Sequence, residues 1–197
     1  PRLLSSAASD VYKRQSDVFA HPWNMTLGAI QDESLVREIS KRMAEQNKAL
    51  GVHINFSPSV DVNNNSKNPI IGNRSFGEDP VNVYKKAKAY IQGHKDVGVY
   101  TSIKHFPGHG DTDKDSHKTL PVISGNMKRL NNVELFPFKR LIEDGLAESV
   151  MLAHLSVPAI DKKYPSSLSY KTVDKLLREE YNFCLLYTSP SPRDAES

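Results

Sequence analysis

One cysteine, Cys184, is the whole thiol content of this 197-residue chain, so no disulfide can form within it. That leaves the compartment open, because cysteine-poor chains occur everywhere. No apolar run approaches the roughly 20 residues needed to cross a bilayer, so no membrane segment is expected here. Charge of one sign is scarce too: 26 Lys and Arg face 23 Asp and Glu, a net +3. Such a balance gives no ground for a nucleic-acid or polyanion partner. No Gly-x-Gly-x-x-Gly follows a candidate strand, which removes the usual mark of a dinucleotide-binding sheet. No internal repeat is visible, and the one low-complexity patch, Asn63-Asn64-Asn65-Ser66, reads as a turn. Oligomeric state and localisation are not encoded in these features.

What the chain does have is concentrated in residues 104–117, KHFPGHGDTDKDSH. His105, His109 and His117 share this stretch with Asp111, Asp113 and Asp115. It follows Val99-Tyr100-Thr101-Ser102-Ile103, which reads as a buried strand, and the C-terminal ends of parallel strands are where many α/β enzymes keep their chemistry. Pro107, Gly108 and Gly110 forbid a helix, so His105 and His109 are not a zinc pair on one helical face. The aspartates mimic the start of an EF-hand loop, but Ser116 stands where glycine is needed and Val122 where the bidentate glutamate is needed. No metal or other cofactor is expected, and a plain solvated loop is the bland alternative. Asp115-Ser116-His117 favours catalysis. A carboxylate one residue away can hold one imidazole nitrogen, fix the tautomer and leave the other nitrogen to move a proton near neutral pH.

The run from Lys104 to Thr112, followed by Asp115-Ser116-His117, resembles the signature of family-three glycoside hydrolases, in particular their bacterial β-N-acetylglucosaminidase branch. Further segments fit in the same order: 51–61 (GVHINFSPSVD), 68–80 (NPIIGNRSFGEDP), 150–154 (VMLAH) and 165–169 (PSSLS). The resemblance covers about 19–183. It implies a retaining exo-acting enzyme on terminal β-linked N-acetylglucosamine, of peptidoglycan or a related amino sugar. A phosphorylase of the same family and a non-catalytic sugar-binding barrel are the alternatives.

The ends read differently. Residues 5–15 (SSAASDVYKRQ) and 184–194 (CLLYTSPSPRD) resemble translations of the two senses of a transposase-type sequencing adapter. The expected organisation is therefore a non-native tail over 1–15, a partial family-three N-terminal barrel domain over 16–183, and a second non-native tail over 184–197. The two tails hold Arg2, Lys13, Arg14 and Arg193 against Asp10, Asp194 and Glu196, so the charge between them stays nearly balanced.

Between those tails helix and strand signals alternate. Asp32 caps a helix to Leu50, with Leu35, Val36, Ile39, Met43 and Leu50 on one stripe and Gly51 beyond its end. A strand is expected over 52–60. Asp79-Pro80 opens a helix with Val83, Ala87, Tyr90, Ile91 and His94 inward, and Gly98 follows its end. A second strand is expected over 99–104, a helix over 128–144 interrupted near Pro137, a third strand over 149–155, and a helix capped by Ser169. This order argues a parallel α/β fold, a partial (β/α)8 TIM-like barrel. Its long loops, 61–79 and 105–127, would then share the catalytic face.

By resemblance, His117 is the general acid/base and Asp115 its orienting partner. Arg74, Lys104 and His105 are expected to bind the sugar. Asp61, His109 and His154 are expected to line the site, whereas His21, His53 and His94 look structural. The partner implied is a carbohydrate. Two parts implied by the family lie outside the chain: an Asp-Gln-Glu-Gly-Gly-Arg-type segment ahead of Ser16, and the nucleophilic aspartate, which follows the helix ending near Tyr181. The chain by itself is therefore expected to be inactive and its parent active.

Overall fold

The structure, a computed structural model, describes residues 20–112 and 120–188. Asp115 and His117 thus lie outside the described residues. A short helix, α1 (Asn24–Ala29), leads into α2 (Glu33–Ala49). Asp32 caps α2 by accepting from the Ser34 amide. Asp79 caps α3 (Pro80–Lys95) through the Val81 amide, with Pro80 in the first turn, where its missing N–H costs nothing.

These two helices pack together through small residues. Gly93 meets α2 so closely that an added Cβ would lie 2.3 Å from the Arg37 carbonyl oxygen. Buried Val36, Ser40, Ala44 and Asn47 form the contact face of α2. The expected stripe is therefore rotated: Val36 is buried, but Leu35 and Leu50 are exposed. The physical reason is that close helix contact selects small side chains, and these sit one position round from the leucines. The inner face of α3 is as expected, with Val83, Ala87, Tyr90, Ile91 and His94 all buried. Ser40 donates to the Tyr90 carbonyl and lies 2.7 Å from His94 Nδ1; His94 Nε2 lies 2.9 Å from Asn55 Nδ2. His94 therefore ties α2 and α3 to the first strand.

The strands are parallel but shorter than the sequence suggests. β1 (Ile54–Asn55) pairs with β2 (Tyr100–Thr101), and β3 (Ile103–Phe106) pairs with β4 (Ser149–Leu152). The expected strand over 52–60 does run beside 99–106, because the Val60 amide donates to the Lys104 carbonyl and the Lys104 amide to that of Pro58. Pro58 has no N–H to give, so the ladder is broken into two sheets there. The helix expected over 128–144 is two: α4 (Met127–Asn132) and α5 (Phe136–Glu143). Pro137 starts α5 rather than interrupting it, since its ring fits a first turn. A helix of π-type hydrogen bonding, Lys171–Glu180, follows, and the Ser169 hydroxyl accepts from the Thr172 amide at its start. β5 (Leu186–Thr188), which lies within the stretch expected to be a non-native tail, pairs parallel with β4. Consecutive parallel strands joined through helices make this a partial barrel of the (β/α)8 kind.

The core lies between the strands and the helices outside them. Phe106 packs edge-on against Phe138 at 5.3 Å and Tyr181 at 6.3 Å, with Ile103, Leu141, Val150 and Leu177 all buried around them. Each such side chain contributes about 1.5–3 kcal/mol by leaving water. Among the described residues no helix is long and apolar enough to cross a membrane.

Candidate active site

Three chain segments follow the C-terminal ends of these strands, and the first two are hydrogen-bonded to each other. They are 61–79 after β1, 107–112 after β3, and 153–169 after β4. Asp61 is at their centre and is fully buried. Its Oδ2 accepts from Ser59 Oγ (2.7 Å) and lies 2.7 Å from His105 Nδ1. Its Oδ1 accepts from the His109 amide (2.7 Å), and the His105 amide is 3.2 Å from both oxygens. Burial alone pushes this carboxyl up. The His105 and His109 rings and the Ser59 hydroxyl outweigh it and hold Asp61 well below the usual carboxylate range. With its lone pairs taken by four donor groups, this carboxylate organises the site rather than attacking anything.

His105 transmits that charge outward. Its Nε2 lies 3.2 Å from Arg74 Nη2, and a guanidinium can only donate. Nε2 is therefore the acceptor and Nδ1 carries the proton given to Asp61. Burial pushes the His105 imidazole down to about 4 against the pull of Asp61, and the charges of Arg74 and Lys104 push the same way. The result is a neutral imidazole between a buried anion and a cation at the mouth. Arg74 ends the 3₁₀ turn Gly72–Arg74, and its carbonyl accepts from Asn24 Nδ2 at 2.8 Å. Lys104 is half-buried on β3, directly before His105. The Lys104–His105 and Phe106–Pro107 peptides are cis.

The loops are locked to one another by polar side chains that sequence reasoning passed over. Asn68 donates to the carbonyls of His109 (2.7 Å) and Gly110 (3.1 Å) and accepts from the Ile70 and Ile71 amides. Ser75 donates to the Asp61 carbonyl at 2.6 Å. Asn68 opens the 68–80 motif, so its position was visible while its role was not. Gly110 faces the Val62 carbonyl so closely that an added Cβ would sit 1.8 Å from its oxygen. His109 is buried, with Nδ1 2.6 Å from Thr112 Oγ1, and its ring meets that of His105 edge-on.

His154 stands two residues past β4, half-buried, with Nδ1 2.6 Å from Ser167 Oγ. The structure thus gathers Asp61, His105, His109 and Arg74 in direct contact, with Lys104 adjoining and His154 just past the end of β4. Among the described residues no group of three or more acidic, histidine or cysteine side chains is disposed to hold a metal ion.

The family model described as the glycosyl hydrolase family 3 N terminal domain matches residues 8–185. Beta-hexosaminidase A of Pseudoalteromonas piscicida is 34% identical over 174 residues, covering 81% of this chain and 29% of that protein. A solved family 3 beta-N-acetylglucosaminidase from Paenibacillus sp. str. FPU-7 is 39% identical, with a TM-score of 0.86 over 89% of this chain and 33% of the other. The beta-glucoside phosphorylase BglX is 30% identical with a TM-score of 0.84, over 90% and 35%. The chain spans about a third of each of these three relatives.

Proposed function

The chain belongs to glycosyl hydrolase family 3, and from that premise we propose that it is the part of a retaining β-N-acetylglucosaminidase that binds the terminal sugar and carries the acid/base. One observation carries the reading furthest. A cation, Arg74, is held at the strand mouth by a buried carboxylate acting through a neutral histidine. An arginine fixed in this way offers directed donors to sugar hydroxyls, and Lys104 adds a second cation beside it. The loop that begins at this anchor continues into Asp115 and His117. His117, as an imidazolium stabilised by Asp115, protonates the leaving glycosidic oxygen; the neutral imidazole left behind then takes a proton from water, which restores the imidazolium.

A retaining mechanism also needs a carboxylate nucleophile to form the glycosyl-enzyme intermediate. Asp61 is already saturated with donors; the family resemblance implies that this role falls to an aspartate that follows the helix Lys171–Glu180 in the complete enzyme. The sugars cleaved are terminal β-linked N-acetylglucosamine residues, of peptidoglycan or related origin. The likeness to the relatives named beta-hexosaminidase and beta-N-acetylglucosaminidase supports this.

A phosphorylase is the second reading, favoured by the likeness to BglX and by an acid/base that carries no negative charge to repel phosphate. The test completes the chain with the rest of the barrel of the Paenibacillus relative and supplies nitrophenyl β-N-acetylglucosaminide with and without phosphate. Free sugar released at a phosphate-independent rate is expected. Sugar phosphate as product would establish the second reading, and no turnover of any β-glycoside would overturn both.

A further inference from the structure

The histidine loop has a second anchor that does not belong to the loop. Arg129, on α4, donates from a single nitrogen, Nη2, to Asp111 Oδ2 at 2.7 Å and to Glu134 Oε1 at 3.1 Å. Asp111 and Arg129 are partly exposed, and such a pair alone contributes about 0–1 kcal/mol. Glu134 is different: it sits between α4 and α5 with 1% of its side chain exposed. Burying a carboxylate costs several kcal/mol unless a cation and hydrogen bonds offset it. Among the described residues, Arg129 is the cation that pairs with it, at Oε1, while Oε2 is buried without a hydrogen-bond partner there. Glu134 also touches the loop directly. Gly108, at φ +123°, faces it so closely that an added Cβ would lie 2.7 Å from Glu134 Cβ. Asn64 Nδ2, from the 61–79 loop, is 3.5 Å from Glu134 Oε1. A buried acid outside the Asp61–His105–Arg74 cluster therefore packs against the histidine loop at Gly108 and, through Arg129, is tethered to it at Asp111.

We propose that Arg129, seated on Glu134, is a positioning residue for the acid/base: by holding Asp111 it fixes the start of the segment that carries Asp115 and His117. This rests on the glycosidase reading above. Proton transfer needs the imidazole within hydrogen-bond reach of the leaving oxygen, and a misplacement of about 1 Å can cost up to about 100-fold. Arg74 and Lys104 are held chiefly through His105 and Asp61, neither of which touches Arg129 directly.

The test uses Asp111→Ala, Arg129→Ala and the double variant in the completed enzyme, since Asp111 is at the surface and its loss leaves the core intact. Each single variant is expected to lower kcat by about 10- to 100-fold with KM within about twofold, and the double variant to be no worse than the worse single. An unchanged kcat, a loss confined to KM, or additive losses would overturn the proposal. Amide hydrogen exchange over 108–112 in the 197-residue chain separates this proposal from the functional reading. Faster exchange in Asp111→Ala supports the anchor even if the completed enzyme hydrolyses nothing, and unchanged exchange refutes it.

Discussion

His105 and Asp61 are joined twice: ring Nδ1 lies 2.7 Å from Oδ2, and the His105 amide lies 3.2 Å from the same oxygen. The aspartate therefore fixes both the backbone and the ring of the residue that supports Arg74. Asp61→Asn keeps the size but gives a side chain that can accept at only one atom. The buried donors of Ser59, His105 and His109 then compete for it. A loss of roughly 2–4 kcal/mol in unfolding free energy is expected, as for one partner removed from a buried charged network. Urea denaturation of the two chains measures it. A loss under about 1 kcal/mol would mean that Asp61 is not the organising anion.

The same pair sets an acid sensitivity. The unfolded chain protonates His105 near pH 6.5, while burial and the Arg74 bond keep the folded imidazole neutral down to about 4. Between those values the unfolded state binds more protons, so stability falls as pH falls. The contribution is fully present above about pH 6.5 and is lost by about pH 4, at most roughly 3 kcal/mol. Asp61 acts in a lower window, because its depressed carboxyl loses stability only as pH falls below about 4. Stability measured from pH 7 to 4.5 should therefore drop less in His105→Gln than in the unaltered chain. Equal slopes would show that His105 takes up its proton in the fold as readily as in the unfolded chain.

How much of this was legible beforehand depends on the kind of signal. Helix ends were legible because Asp32, Asp79 and Pro80 act within one turn of themselves. Strand extents were not, because the Pro58 interruption matters only once the segment lies beside 99–106. The cluster at the strand ends was legible as a set of residue types, and Asp61, His105 and Arg74 are in contact there with Lys104 adjoining. Its wiring was not. Nothing in the spacing of 61, 74 and 105 says that the histidine stands between the aspartate and the arginine. Glu134 and Arg129 were read only as part of a helix, since a buried acid looks like a solvated one until its surroundings are known.

Close backbone approach gives a sharper steric prediction. Gly110→Ala would place a Cβ 1.8 Å from the Val62 carbonyl oxygen, and main chain cannot swing aside as a side chain can. The two loops must separate, with a cost on the order of 3 kcal/mol. Gly145→Ala serves as the comparison. It has a left-handed φ of +67° but nothing within 4 Å of an added Cβ, so only about 1 kcal/mol is expected. Thermal unfolding of both variants should rank them in that order, and a Gly110→Ala chain as stable as Gly145→Ala would contradict the tight loop contact.

The acid/base assignment is tested by leaving-group chemistry in the completed enzyme. A nitrophenolate departs as a stabilised anion and needs little help from an acid, whereas a sugar alkoxide must be protonated as the bond breaks. His117→Ala should therefore slow cleavage of a natural disaccharide by about 10²–10⁴-fold and glycosylation by the nitrophenyl glycoside far less. Asp115→Asn should lose part of the same effect and lower the pKa of the acid, because the imidazolium loses its anionic partner. A pre-steady-state burst of nitrophenol separates glycosylation from the water-dependent second step, which also needs His117 as base. If both substrates lose rate equally in the burst phase, His117 is not the acid. The proton must then come from another group at this mouth, with His154, just past the end of β4, the first to replace.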